Sequence, residues 1–538
     1  MNDTTDPTQA ALYAGILAHP DEDAPRLVYA DYIEEHGDRA RAEFIRLQCR
    51  LATMNKWDEG YTAADARCRR LLAKHPEWLE PVRRLNADLP GPCGSLRRNC
   101  GHGPHSVFVR GFPGVASTDA EWFGASYAGL FASFPVDALG FAMDRAAARD
   151  TLRDCPGLAR LRGLGVSMWG EERDGLETLA RFRHTDRLER LEVYSESVVV
   201  DPLEMLLSAP QFSGLKSLTF WGDCGDYDRR RPEDVVRDLD RSSWLFGLRE
   251  LVVDGDFFEG LGQRLARDSG WEPRLKRLGL RGYLGRYGEV PPELVARIGR
   301  GLRSGWFASV EDLDLMMSDF EGLVLDALIA SGAERPLRLA LPARNRNGYQ
   351  DGLEASPGLL CSDWVGHLRS LHIDGPGEGE VNEVLGSALP SVLRVLELKA
   401  GTLTGGRLRA LLNVSGGWPH LERLSLANNP IPDGALKEFL VLSDRFPQLV
   451  SVALGNGQPA PMFLARLAES PQTARFRELR LNIPLDNATA DALARSPHLS
   501  DIDLLSAVEG TAGPTSTNRL RDRFGPRLSV YPNERPLA

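Results

Sequence analysis

Leu421-Glu422-Arg423-Leu424-Ser425-Leu426-Ala427-Asn428-Asn429-Pro430-Ile431 is the stretch on which the fold turns. Leucines stand at its first, fourth and sixth positions, an asparagine at the ninth and an isoleucine at the eleventh. From position three to position six polar and apolar residues alternate, as in a strand with one buried face. Working outward, the same LxxLxL spacing returns along most of the chain. Upstream it reads Val136-Leu139-Phe141, Leu161-Leu164-Val166, Leu188-Leu191-Val193, Leu215-Leu218-Phe220, Leu248-Leu251-Val253, Leu275-Leu278-Leu280 and Val310-Leu313-Leu315. A weak copy near Leu337-Leu339 is followed by Leu368-Leu371-Ile373 and Leu393-Leu396-Leu398. Downstream come Leu449-Val452-Leu454, Phe476-Leu479-Leu481 and Leu499-Ile502-Leu504. Phe112-Val115 reads as a degenerate first copy and Leu528-Val530 as a closing strand.

The step between copies is about 28 residues, within the range of repeat architectures built from one strand and one return. Positions four and six face a core, while five and seven face outward. The remaining ~20 residues must bring the chain back to the next strand. Asp433 to Leu440 and Met462 to Ala468 have apolar residues three and four apart, so these returns read as helices. No unit buries enough by itself; stacking makes the core.

This array resembles the leucine-rich-repeat family in its longer, ribonuclease-inhibitor-like form. The resemblance implies an α/β solenoid with parallel strands on a concave face and mostly helices on a convex face. It would cover residues 107–538 with about 14 irregular repeats. Only Asn429 matches the family asparagine; the other copies put Glu196, Asp223, Asp256, Tyr283, Gly401 or Gly457 there. An irregular ladder between repeats is expected.

Residues 1–90 lack the repeat and read as an all-α cap domain, joined through a 91–106 linker. Asp6-Pro7-Thr8-Gln9 has the form of an N-cap, a first-turn proline and a capping-box glutamine. Helices are expected from Ala10 to Ala18, from Asp23-Ala24-Pro25 to Gly37, from Asp38 to Met54, and over 61–75 and 77–86. Leu27, Tyr29 and Phe44 should pack, and Arg26, Asp31, Glu34 and Arg41 should pair between helices. The segment from Leu17 to Ala52 carries Asp21, Asp23, Pro25, Arg26, Leu27, Tyr29, Asp31, Glu34, Gly37, Arg41, Ala42, Glu43, Phe44, Ile45, Leu47 and Gln48. On these residues it resembles the repeat-companion domain found before leucine-rich repeats in planctomycete and myxobacterial paralogue families. That implies a bacterial, multi-copy family and no particular activity.

The 538 residues carry a net charge of −11, which argues against a general nucleic-acid binder. No secretory signal opens the chain and no apolar run approaches ~20 residues, so no membrane span is expected. Seven thinly spread cysteines give no disulfide framework, and a cytoplasmic, monomeric protein is expected. No nucleotide-binding loop, HExxH, nucleophile elbow or paired CxxC occurs. Cys93, Cys100, His102 and His105 are a candidate zinc set, although their spacing suits no common finger and an open linker is the simpler reading. Asp21-Glu22-Asp23 and Asp312, Asp314 and Asp319 could hold a cation. Helix-start and strand-surface roles explain them as well. Cys361 and His367 form a weak nucleophile pair. No cofactor is expected.

Outward strand positions supply the candidate partner-binding residues: Glu192, Tyr194, Trp221, Asp254, Arg281, Asp314 and Met316. Tyr194 and Trp221 should stand on neighbouring strands, and aromatic side chains are common interface anchors. The excursions over 223–234, 281–292 and 343–358 should form loops. The expected function is a non-enzymatic scaffold that binds a protein partner on the concave face. The alternative is a regulator of a partner enzyme, GTPase-activator-like or inhibitor-like; a metal-dependent enzyme ranks below both.

Overall fold

A computed structural model describes residues 6–81, 108–113, 115–117, 120–143, 145–168, 172–195, 206, 208–222, 242, 244–254, 274–281, 309–315, 337–341, 363–376, 378–399, 401, 403–441, 443–455, 458 and 460–531. The chain forms an α/β leucine-rich-repeat solenoid with an all-α N-terminal segment. It divides into two compact units. Unit 1 holds residues 1–53, 77–310 and 318–334; unit 2 holds 54–76, 311–317 and 335–538. Residues 54–76 lie inside the stretch expected to be a cap, yet they pack with the later repeats.

In unit 1, helices α1 (Pro7–Ala18), α2 (Ala24–Glu35) and α3 (Arg39–Leu51) enclose a small core of Ile16, Ala30, Ile33, Ala42, Ile45 and Cys49. Asp6 caps α1 by accepting from the Thr8 amide. Gln9 closes no capping box; its amide donates to the Tyr29 hydroxyl. Gly37, at φ +100°, turns the chain after α2 in a conformation few other residues tolerate. Asp23 precedes α2 without bonding to its amides, because its carboxylate is taken by Arg110 at 2.7 Å. Leu27 is exposed rather than packed. Asp31 and Glu34 pair across helices, both with Arg46. Arg26 instead donates to the carbonyls of Glu22 and Pro20, and Arg41 to that of Gly111.

A hairpin follows, with β1 (Phe108–Val109) antiparallel to β2 (Phe112–Pro113). The repeat strands of unit 1 are β3 (Val115–Ser117), β4 (Ala138–Ala142), β5 (Gly163–Met168), β6 (Arg190–Ser195), β7 (Ser217–Gly222), β8 (Glu250–Asp254) and β9 (Arg277–Arg281). Each pairs in parallel with the next. Leu139, Leu164, Leu191, Leu218, Leu251 and Leu278 stand in one register and are buried. The degenerate first copy is displaced by one: Ala116, not Val115, aligns with Leu139. Phe112 leaves the repeats altogether and joins the helical core. Some returns are a single helix, as at Ala120–Ser133, and others add a short 3-10 turn, as where Ala146–Arg153 is followed by Pro156–Arg160.

Unit 2 carries β10 (Asp312–Asp314), β11 (Arg338–Leu341), β12 (Ser370–Asp374), β13 (Val395–Lys399), β14 (Arg423–Ser425), β15 (Ser451–Leu454), β16 (Glu478–Pro484), β17 (Leu504–Val508) and β18 (Leu528–Tyr531), again parallel from each to the next. The expected helical returns are Asp433–Val441 and Pro461–Glu469, and their Phe439, Leu440, Phe463 and Leu464 are buried. Two sequence registers shift. At the weak copy Leu339 and Leu341 take the core positions, because Leu339 pairs with Leu313 and Leu371. In the last repeat Leu505 pairs with Leu479 and Leu528, so Ile502-Leu505-Ala507 replaces Leu499-Ile502-Leu504. The closing strand over Leu528 and Val530 is present as β18.

Asn429, fully buried, is a rung between repeats. Its Nδ2 donates to the Leu398 carbonyl at 2.7 Å and to that of Leu426 at 3.1 Å. Its Oδ1 accepts from the amides of Gly401 and Leu403. One amide side chain therefore satisfies groups from both turns, which would otherwise be buried and unpaired.

Helix α4 (Tyr61–Lys74) belongs to unit 2 and buries Ala64, Cys68, Leu71 and Leu72. Arg69 reaches Glu478 at 2.8 Å and Asp65 at 2.6 Å, and Arg70 pairs with Asp503. In the preceding loop Glu59 pairs with Arg394 at 2.9 Å.

Candidate partner-binding faces

Alternation along a strand sends positions three, five and seven to the face away from the leucines. In unit 1 this places Glu192 and Tyr194 together on β6. Glu192 is exposed and Tyr194 half-buried, with the tyrosine hydroxyl donating to Glu192 Oε2 at 3.0 Å. Tyr194 is in register with Trp221 on β7, so their backbones lie about 4.8 Å apart. Asp254 on β8 and Arg281 on β9 are likewise in backbone register. The strand positions expected for these five residues are thus the ones they occupy. Met316 lies outside the described residues.

The earlier strands offer the same face with much smaller side chains. Ala138, Gly140 and Ala142 stand beside Gly163, Gly165 and Ser167, and Ser167 is in turn beside Tyr194. The sequence pattern contained these positions, since they follow from the same alternation, but they carry no charge or ring to attract notice. Ser167 is fully buried and its hydroxyl has no hydrogen-bond partner.

In unit 2 the outward face is built differently. Asp314 points outward as expected yet is only 5% exposed, because Arg338 on β11 lies against it at 3.7 Å and pairs also with Asp312. The two aspartates therefore serve an arginine rather than a cation site, and Asp319 lies outside the described residues. Beside them His372, Glu397 and Lys399 form a second group. Lys399 Nζ is 2.6 Å and His372 Nδ1 is 3.4 Å from Glu397 Oε2. Burial holds the His372 pKa below its ordinary value despite Glu397. Burial alone would raise Glu397, but Lys399 and His372 outweigh it and hold the carboxyl low. His372 Nε2 is buried without a partner.

The starts of the later strands in unit 2 are occupied by the chain itself. Arg394 and Asp503 immediately precede β13 and β17, Glu478 opens β16, and all three meet α4 or the loop before it. Glu478 is 2% exposed; burial works to raise its pKa, but Arg69, Arg480 and Arg423 overcome this and hold it far below the usual range.

The metal candidates divide cleanly. Asp21 pairs with Arg162 at 2.6 Å, Glu22 lies 3.2 Å from His19 Nδ1 and Asp23 pairs with Arg110, so each of the three carboxylates has a side-chain partner of its own. Cys93, Cys100, His102, His105 and Cys361 lie outside the described residues, and His367 is exposed. Among the described residues no group of three or more metal-ligating side chains converges. None of the described helices is long and apolar enough to cross a membrane.

No family model and no curated protein matches the chain. Among solved structures, one from the yeast Rad7 and Elc1 complex aligns over 98% of this chain and 98% of its own, at 12% identity and a TM-score of 0.33. A protein of Bacteroides fragilis aligns over 61% of this chain and 77% of its own, at 15% identity and a TM-score of 0.31. These likenesses are too distant to carry an argument about activity. The fold rests on the strand register and its buried leucines.

Proposed function

We propose that the protein is a non-enzymatic scaffold that binds a protein partner on the outward strand face of unit 1. One observation carries this reading: β6 presents an exposed Glu192 and a half-buried Tyr194 in a hydrogen-bonded pair, in register with Trp221. A tyrosine held by its hydroxyl loses little freedom on binding and still offers a ring edge, a common basis for interface anchors. The outward face of unit 2 is less suited, because its charged side chains already pair with one another or with α4. We place the anchor at Tyr194 and Trp221, with Glu192, Asp254 and Arg281 around it.

The test is affinity capture from the native cell with the whole chain, in parallel with Tyr194→Ala and Trp221→Ala. Each substitution should weaken capture of the same partner by about tenfold or more while leaving thermal unfolding unchanged. Partners that survive both substitutions would remove this face as the site.

A further inference from the structure

The helices α1–α3 surround one turn in a way that reads each of its residues separately. Arg110 and Gly111 connect β1 and β2 with φ of +52° and +85°, the signs of a type I′ hairpin. A left-handed conformation disfavours arginine by about 1 kcal/mol or more, so something must hold Arg110 there. Asp23 does so at 2.7 Å. Gly111 sits against α3 so closely that a β-carbon would lie 2.8 Å from the Ile45 backbone, and only glycine fits. Both of its backbone polar groups are met by side chains of α3. Its amide donates to Gln48 Oε1 at 3.1 Å, and its carbonyl accepts from Arg41 Nη2 at 2.6 Å. Phe112 is buried with its ring 5.8 Å from Tyr13 and 5.7 Å from Tyr29, and the Arg26 and Arg41 guanidinium groups lie at 5.9 and 5.6 Å.

Arg41 forms no ion pair among the described residues. Its guanidinium lies among the rings of Phe44, Trp78, Phe108 and Phe112, and burial lowers its pKa to about 10. A cation so enclosed is tolerable because the ring faces and the Gly111 carbonyl replace lost water. The turn is therefore part of the site that holds Arg41, not merely packed on it.

We propose that α1–α3 are a recognition site for a left-handed arginine–glycine–aromatic turn, filled in this chain by Arg110-Gly111-Phe112, and that the site takes such a turn from another polypeptide when its own is removed. Each element of the turn has its own complement: carboxylate for the arginine, amide and guanidinium for the glycine backbone, and an aromatic pocket for the ring. This site is separate from the strand face assigned above and does not depend on it.

The test uses the full chain with Gly111→Val and Phe112→Ala, which evict the native turn, and a labelled cyclic peptide carrying residues 108–113. Fluorescence anisotropy should show peptide binding at least about tenfold tighter than to the unchanged chain. Adding Gln48→Ala should reverse that gain. Equal binding by evicted and unchanged chains would overturn the proposal. If eviction prevents folding, a double-mutant cycle in thermal unfolding decides it with Asp23→Asn and Arg110→Gln. Coupled effects are expected; strictly additive ones would refute the paired recognition.

Discussion

Replacing Arg69 by alanine tests whether α4 is held on unit 2 by its ion pairs. Arg69 and Glu478 are 8% and 2% exposed and 2.8 Å apart. Removing one member of a buried pair costs about 3–5 kcal/mol, because the other charge is left without compensation. Glu478 would not be wholly abandoned: Arg480 stands 2.6 Å away and the Ser451 hydroxyl 2.8 Å. The loss should then fall near the lower end, about 3 kcal/mol. For a unit of this size that lowers the midpoint by roughly 6–12 °C. Calorimetry of the whole chain would read it, with fluorescence of Trp57 and Trp418, both buried in unit 2, as a second probe. The pH dependence provides an internal control. Glu478 has a folded pKa depressed below its ordinary 4.5, so its contribution is fully present above that value and is lost as pH falls toward the folded pKa. Arg69→Ala should raise the folded pKa and shrink the stability lost in that acid window. Arg69→Met with Glu478→Leu should recover part of the loss, since both charges of that pair are replaced by apolar groups of similar volume while Asp65 and Arg480 each still lose a partner. A change under about 1 kcal/mol for Arg69→Ala, or a double variant worse than the single, would refute this account.

Asn429→Ala should cost about 2–4 kcal/mol, since it strands buried groups in two successive turns. Hydrogen exchange should accelerate at the Gly401 and Leu403 amides, and unchanged protection there would contradict the rung. His372 is held below its ordinary 6.5, so the unfolded chain takes up its proton first and stability falls as pH drops through 6.5 toward the folded pKa. His372→Gln should flatten that part of the stability profile, measured by denaturant unfolding between about pH 5 and 7; an unaltered slope would exclude His372 as its source.

The repeat was legible because it is local: alternating residues place leucines at 139, 164, 191, 218, 251 and 278 on one buried face, whatever lies elsewhere. Helix ends near Asp6, Gly37 and Asp38 were legible for the same reason, since caps act within a few residues. The candidate face was partly legible. Alternation gave the outward positions of Glu192 and Tyr194, but nothing local said that Asp314 would be covered by Arg338 from the next strand.

What only the tertiary structure decided is pairing over long sequence separation. The segment Leu499 to Ala507 has apolar residues enough for two registers, and only the ladders to β16 and β18 select Leu505 over Leu504. Asp23 has the sequence of a helix cap, yet Arg110, 87 positions away, offers a full opposite charge and takes it. Arg69 and Glu478 are likewise far apart in sequence, and their meeting assigns α4 to unit 2. Periodicity fixes which face of an element is buried. Which residue covers that face depends on close packing and on buried charges finding partners, neither of which a short window of sequence contains.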